Sequence, residues 1–179
     1  KPVKKGLKIY KVYNDGFIAR SQSSTIAFDI VRGAIQGKEI ISEAYIKQIV
    51  DQCDILFITH NHGDHTGMLH AFIKDKDIHY ALPETDFVRL AERYPEMDKE
   101  FINEGHVFDL GGIEVETIEV PGHTDGSVVF NINGRDILLT GDAIGSGHGV
   151  WIFNEAAFIK YAAAVQAVAE ILEAITAFD

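Results

Sequence analysis

Thr59-His60-Asn61-His62-Gly63-Asp64-His65-Thr66-Gly67 gathers three histidines and one aspartate into six consecutive residues. The apolar run Asp54-Ile55-Leu56-Phe57-Ile58 leads straight into it, and Met68-Leu69-His70-Ala71-Phe72-Ile73 follows with helical character. A buried strand thus delivers a ligand-rich loop at its C-terminal end, where open α/β sheets place their sites. His60 and His62 are two apart, a spacing at which extended or turning backbone can point both side chains the same way. Neutral imidazole and carboxylate are ligands for zinc and similar first-row metals. Gly63 lets the chain turn tightly and carries Asp64 and His65 round to a second face. One short loop can then serve two adjacent metals, with His60 and His62 facing one and Asp64 and His65 the other. The plainer reading is a solvated polar loop. It leaves unexplained why three of the chain's eight histidines fall here.

The bulk numbers narrow the class. The 179 residues suffice for one well-cored domain and no linker divides them, so 1–179 reads as a single domain. Apolar residues at 46% and charged residues at 24% argue against disorder. With a net charge of −11 and no basic stripe, nucleic acid held by its phosphates is not an expected partner. A metal's local charge can still hold an anionic small molecule. Cys53 is the only cysteine, so no intrachain disulfide is possible. That fits a reducing compartment such as the cytoplasm without fixing localisation. No run approaches the roughly 18 apolar residues of a membrane span. No signal peptide is visible, and the start at Lys1 rather than Met leaves room for an upstream segment. Oligomeric state is not readable.

Outward from the histidine loop, the chain reads as strands then helices, twice over. Residues 7–13 alternate apolar and polar, Asn14-Asp15-Gly16 signals a turn, and strand character resumes at Phe17. Residues 24–30 read as a third strand of a meander; Asp29 near its end could approach the histidine loop, but a solvated strand end is the plainer expectation. Ser42 is a credible N-cap for a helix burying Ile46, Ile49 and Val50, with Cys53 as a small core residue just beyond. Residues 78–82 form a short strand, and Pro83-Glu84-Thr85 opens a helix to about Arg93. His70 and His79 default to ordinary helix and strand residues. Residues 107–110 and 113–120 pair as a hairpin across Gly111-Gly112, the second strand alternating cleanly enough to leave one face wet. Its end carries Pro121-Gly122-His123-Thr124-Asp125-Gly126-Ser127. Strands at 128–131 and 137–139 flank Asn133-Gly134, and the latter ends at Thr140-Gly141-Asp142. A Gly-rich loop with His148 and Trp151 precedes a helix over about 155–177. Strand ends therefore present candidate ligands three times, at 60–65, at 123 and at 142. Two sheets packed face to face with helices outside account for that order.

These three motifs resemble the metallo-β-lactamase superfamily. His60-x-His62-x-Asp64-His65 is similar to its signature loop, Pro121-Gly122-His123-Thr124-x-Gly126-Ser127 to its second motif, and Thr140-Gly141-Asp142 to its third. The resemblance spans essentially the whole chain. It implies an α+β fold, the αββα four-layer sandwich. It also implies a binuclear centre, carried over position by position: His60, His62 and His123 on the first metal, Asp64 and His65 on the second, Asp142 bridging. An aspartate at the bridging place resembles the glyoxalase II and lactonase branches rather than β-lactamases with a cysteine there; Cys53 lies in the wrong place for that role. The family's last histidine, on a strand after the final helix, has no counterpart before Asp179. The fold is therefore expected to lack its last strand, with the sequence stopping short of the natural end. His148, six residues after Asp142, is read with Trp151 as pocket wall rather than ligand.

The implied activity is metal-dependent hydrolysis of a small-molecule ester, thioester, lactone, amide or phosphodiester by a metal-held hydroxide. Two zinc ions are expected, with iron or manganese as alternatives. Three histidine ligands leave a position open for water and bring its pKa to around 7. Asp64 is the candidate to orient that hydroxide or shuttle its proton. Two rivals are persulfide oxidation at mononuclear iron, which suits a histidine and carboxylate set, and a non-enzymatic metal-binding module.

Overall fold

A computed structural model describes residues 7–12, 16–31, 34–35, 38–39, 41–66, 69, 78–134, 137–144 and 158–176. β1 (Lys8–Lys11), β2 (Phe17–Arg20) and β3 (Thr25–Phe28) form an antiparallel meander, with Lys8 opposite Arg20 and Phe17 opposite Phe28. A small ribbon pairs β4 (Ala34–Ile35) with β5 (Lys38–Glu39). α1 (Glu43–Val50) starts at Ser42, whose hydroxyl accepts from the Tyr45 N–H at 3.2 Å as an N-cap should. It leads to β6 (Ile55–Phe57), which lies parallel to β3. The one-turn α2 (Gly63–Thr66), β7 (His79–Pro83), α3 (Glu84–Arg93) and β8 (Lys99–Ile102) complete this half. The first sheet runs β1-β2-β3-β6-β7-β8 and is parallel from β3 onward. β9 (Val107–Asp109), β10 (Glu114–Glu119), β11 (Val128–Ile132) and β12 (Ile137–Leu139) build a second, antiparallel sheet in the order β12-β11-β10-β9. α4 (Phe158–Thr176) closes the described chain.

Strand alternation sorts the apolar residues into three interfaces. On one face of the first sheet, Ile18, Ala27, Leu56, Tyr80 and Leu82 meet Ile46, Ile49 and Val50 of α1 and Phe87 of α3. On its other face, Ile26, Phe28, Phe57 and Ala81 meet Val115, Val128, Phe130 and Ile132 of the second sheet. There the Phe57 ring stands 5.0 Å from Phe108 and 5.2 Å from Phe130. Each fully buried side chain of this size contributes about 1.5–3 kcal/mol. Beyond the second sheet, Ile118, Val120 and Val129 meet Tyr161 and Val168 of α4. Three interfaces between four layers are the αββα sandwich that the sequence led us to expect.

Three local readings change. β8 carries no signal in the sequence, because its Lys-Glu-Phe-Ile is an edge strand whose charges blunt the apolar alternation. The face of β10 expected to be wet starts so at Glu114 but ends buried at Ile118, where α4 covers it. The histidine loop itself winds into α2; of the helix read at 68–73, only Leu69 is among the described residues. Among the described residues, no helix is long and apolar enough to cross a membrane.

Candidate metal centre

Parallel pairing of β3, β6 and β7 sets their C-terminal ends side by side, and the candidate ligands gather there. Asp29 follows β3, residues 59–65 follow β6, and α3 starts where β7 ends. The second sheet brings the β10–β11 turn with His123 and the end of β12 with Asp142 to the same edge. His60, His62 and His123 present donor atoms within 4.8 Å of one another, as do His60, His65 and Asp142. His62 Nδ1 lies 2.9 Å from His123 Nε2. Asp142 approaches both halves, Oδ1 at 3.4 Å from His65 Nε2 and Oδ2 at 3.5 Å from His123 Nε2. Asp64 stands exposed on α2, outside both groups. His148 and Trp151 lie outside the described residues, as does His70. His79 is half-buried on β7, with Nδ1 3.1 Å from Asp98.

Asp29 corrects the expectation of a solvated strand end: it is 1% exposed. Its backbone takes φ 45°, the left-handed region that costs most side chains energy and that Asp tolerates better than most. That turn aims the carboxylate behind the histidine loop. Asp29 Oδ1 accepts from the Thr59 N–H at 2.8 Å; Oδ2 accepts from Thr59 Oγ1 at 2.7 Å and from His65 Nδ1 at 3.0 Å. Thr59 Oγ1 also lies 3.0 Å from His60 Nδ1. With its own proton committed to Asp29, that hydroxyl accepts from His60, which therefore carries its proton on Nδ1. The Nε2 lone pair of His60 faces the cluster, buried and with no hydrogen-bond partner in the described structure. An orphaned, buried acceptor aimed at two other imidazoles is what a metal ligand looks like before the ion is counted. The donor set fits a divalent first-row ion.

Two pKa shifts follow from this geometry. Burial, then the charges of His65, His123 and His62, push His60 down to about 2, so it is neutral and able to ligate. For His65, burial opposes the charge, but the hydrogen bond and charge of Asp29, with Asp142 and Asp64, outweigh it and push the group up to about 9.

Asp86, which carried no signal in the sequence, ties the two histidine loops to α3. Its Oδ2 accepts from the Asn61 N–H at 3.1 Å and from Thr124 Oγ1 at 2.7 Å; its Oδ1 accepts from the Gly126 N–H at 2.9 Å. Gly126 has no room for a side chain, since a Cβ there would sit 2.7 Å from Asp86 Oδ1. Gly141 meets a similar limit. At φ +48° its Cβ would fall 2.6 Å from Thr59 Oγ1, so the loop bearing Asp142 packs directly on the loop bearing His60. A cavity of about 580 Å³ opens beside His62 and His123 and runs along α3.

Comparison with known proteins agrees with this architecture. The family described as the metallo-beta-lactamase superfamily matches residues 17–173. An atrochrysone carboxyl ACP thioesterase from Pseudocercospora fijiensis is 27% identical over 139 residues, covering 74% of this chain and 37% of that protein. A hydroxyacylglutathione hydrolase from Ruegeria pomeroyi is 35% identical over 91 residues, 51% of this chain and 34% of that one. The chain thus spans about a third to two fifths of the length of such relatives. Among solved structures, a metallo-beta-lactamase family protein from Thermus thermophilus superposes with a TM-score of 0.65 at 16% identity, over 93% of this chain and 70% of that one. A diiron beta-hydroxylase from Streptomyces venezuelae shares the fold at a TM-score of 0.57 and 18% identity, over 78% of this chain and 30% of its own. With its four layers, its ligand-bearing strand ends and a family match over most of its length, the chain belongs to the metallo-beta-lactamase superfamily.

Proposed function

We propose that this chain carries the catalytic domain of a zinc-dependent hydrolase acting on a small acyl ester or thioester. The observation that carries the reading is the convergence of His60, His62 and His123 around the unpartnered His60 Nε2, with His65 and Asp142 adjoining. The thioesterase and the hydroxyacylglutathione hydrolase among its relatives favour an acyl substrate. His60, His62 and His123 would hold one ion; His65, Asp142 and Asp64 would hold a second. Such an ion supplies Lewis acidity, polarising a carbonyl and making water acidic near neutral pH.

The protein's own groups do the rest. Thr59 and Asp29 keep the His60 proton on Nδ1, so Nε2 stays a donor to metal. Asp29 likewise holds His65 by Nδ1 and turns its Nε2 toward Asp142. Asp64, exposed on α2, would take a proton from the attacking water and pass it on. The overall change is balanced: the water oxygen joins the acyl carbon, the acyl–sulfur or acyl–oxygen bond breaks, and a proton goes to the departing thiol or alcohol.

The test is metal content by elemental mass spectrometry on protein purified without added metal, followed by a panel of ester, thioester, lactone and phosphodiester substrates. We expect zinc and acyl-ester or thioester turnover, both lost in His62→Ala. Full turnover after metal stripping, or in His62→Ala, overturns the reading. Iron with oxygen uptake on a persulfide redirects it to redox chemistry.

A further inference from the structure

α3 presents one face to the cavity beside the histidines. Thr85, Val88 and Arg89 all line it, and their i, i+3, i+4 spacing puts them on a single side of the helix. Phe87 and Ala91 are buried, anchoring α3 to the first sheet. Asp86 fixes the helix to both histidine loops through three hydrogen bonds, so this face is held in register with His62 and His123 rather than floating beside them. Val88 is a large apolar side chain left 41% exposed there. Arg89 is exposed, and no ion pair joins it to the described acids. The other charges on this wall are acidic: Asp86, whose oxygens are engaged by three donors, and Asp125. In a chain of net charge −11, a guanidinium without an ion pair among the described residues, lining the cavity beside a metal-binding cluster, is a group that can hold an anion there. At about 580 Å³ the cavity suits a small molecule rather than a polymer.

Resting on the hydrolase reading above, we infer that the substrate is a small thioester or ester bearing a carboxylate or phosphate away from the scissile bond, and that Arg89 grips that anion while Val88 contacts the intervening apolar segment. Arg89 is thus a specificity residue.

Three thioesters test this with the metal-loaded protein. Acetyl-N-acetylcysteamine is neutral, succinyl-N-acetylcysteamine carries its anion on the acyl side, and S-acetyl-3-mercaptopropionate carries it on the thiol side. In Arg89→Ala we expect kcat/KM for at least one anionic substrate to fall about tenfold or more, chiefly through KM. The neutral substrate should change less than twofold, and Arg89→Lys should recover part of the loss. An equal fall for all three, or no fall for either anion, overturns the inference while leaving the hydrolase reading intact. If none of the three is hydrolysed even by the wild type, the hydrolase reading fails on these substrates. Equilibrium binding of ketone analogues, with CH2 in place of sulfur, then decides the inference separately. Anion-selective binding lost in Arg89→Ala upholds it, and equal binding to both proteins overturns it.

Discussion

Asp29 stands directly behind His65, its Oδ2 accepting from Nδ1 at 3.0 Å with both side chains buried. The same carboxylate serves two donors of Thr59, so three groups depend on it. Removing one partner of a buried ion pair leaves the other uncompensated, at a cost of about 3–5 kcal/mol. Asp29→Ala should therefore destabilise the metal-free protein by that order, read from urea unfolding midpoints at pH 6.5. A shift below about 1 kcal/mol would mean that the contact is not made in solution.

The two perturbed histidines give the metal-free protein opposing pH dependences. His65 has a folded value of about 9, above the ordinary 6.5, so the folded state holds its proton more tightly than the unfolded chain. Its stabilisation is complete below pH 6.5 and is lost as pH rises through 9. His60 is depressed to about 2, so its contribution is complete above 6.5 and is lost as pH falls below that. Melting temperatures in chelator should decline on the alkaline side of pH 6.5, and Asp29→Asn should flatten that limb. A wild-type curve that stays level from pH 6.5 to 9 contradicts the His65 assignment.

Asp86 touches no metal-binding atom, yet it bonds to both loops that carry the histidines. Asp86→Ala should weaken zinc binding about 10–100-fold, as loss of groups that support ligands does. Chelator competition measures this directly. Asp86→Asn keeps one carbonyl acceptor and should fall between the two. Unchanged zinc affinity in the alanine variant would reduce Asp86 to a loop contact without influence on the centre.

Cys53 is raised to about 12, first by burial, and its Sγ lies 3.1 Å from the Ile49 carbonyl. The thiolate is the reactive form, so at pH 8 the folded protein should react with Ellman's reagent only on unfolding. Immediate full labelling without denaturant would show that the α1 end is open.

The three ligand motifs were legible because each is local: a strand end, glycine or proline beside it, and histidine or aspartate in the turn. The Asn133–Gly134 turn was legible for a similar reason, since φ values of 55° and 63° suit those two residues. Asp29 was legible only as a strand-end residue within reach of the loop. Its burial behind His65 depends on β3 lying parallel beside β6, a pairing that no short window of sequence reports. Asp86 was hidden in the same way, because its partners lie on two loops distant in sequence. β8 was hidden by its own charges, which an edge strand tolerates.

The centre straddles the two sheets. His60, His62 and His65 come from the first, His123 and Asp142 from the second, and the Val128 N–H donates to the Thr59 carbonyl at 3.0 Å across the seam. These contacts join residues far apart in sequence, and such non-local contacts form late in folding. An ion held across the seam should therefore act as a clasp: it should leave the refolding rate nearly unchanged and slow unfolding. Stopped-flow measurements with zinc and with chelator separate the two arms, and a change confined to refolding would place the seam in the folding nucleus instead. In the expected case, the lifetime of the folded domain under metal scarcity is set by how quickly its two halves part, well before any question of substrate arises.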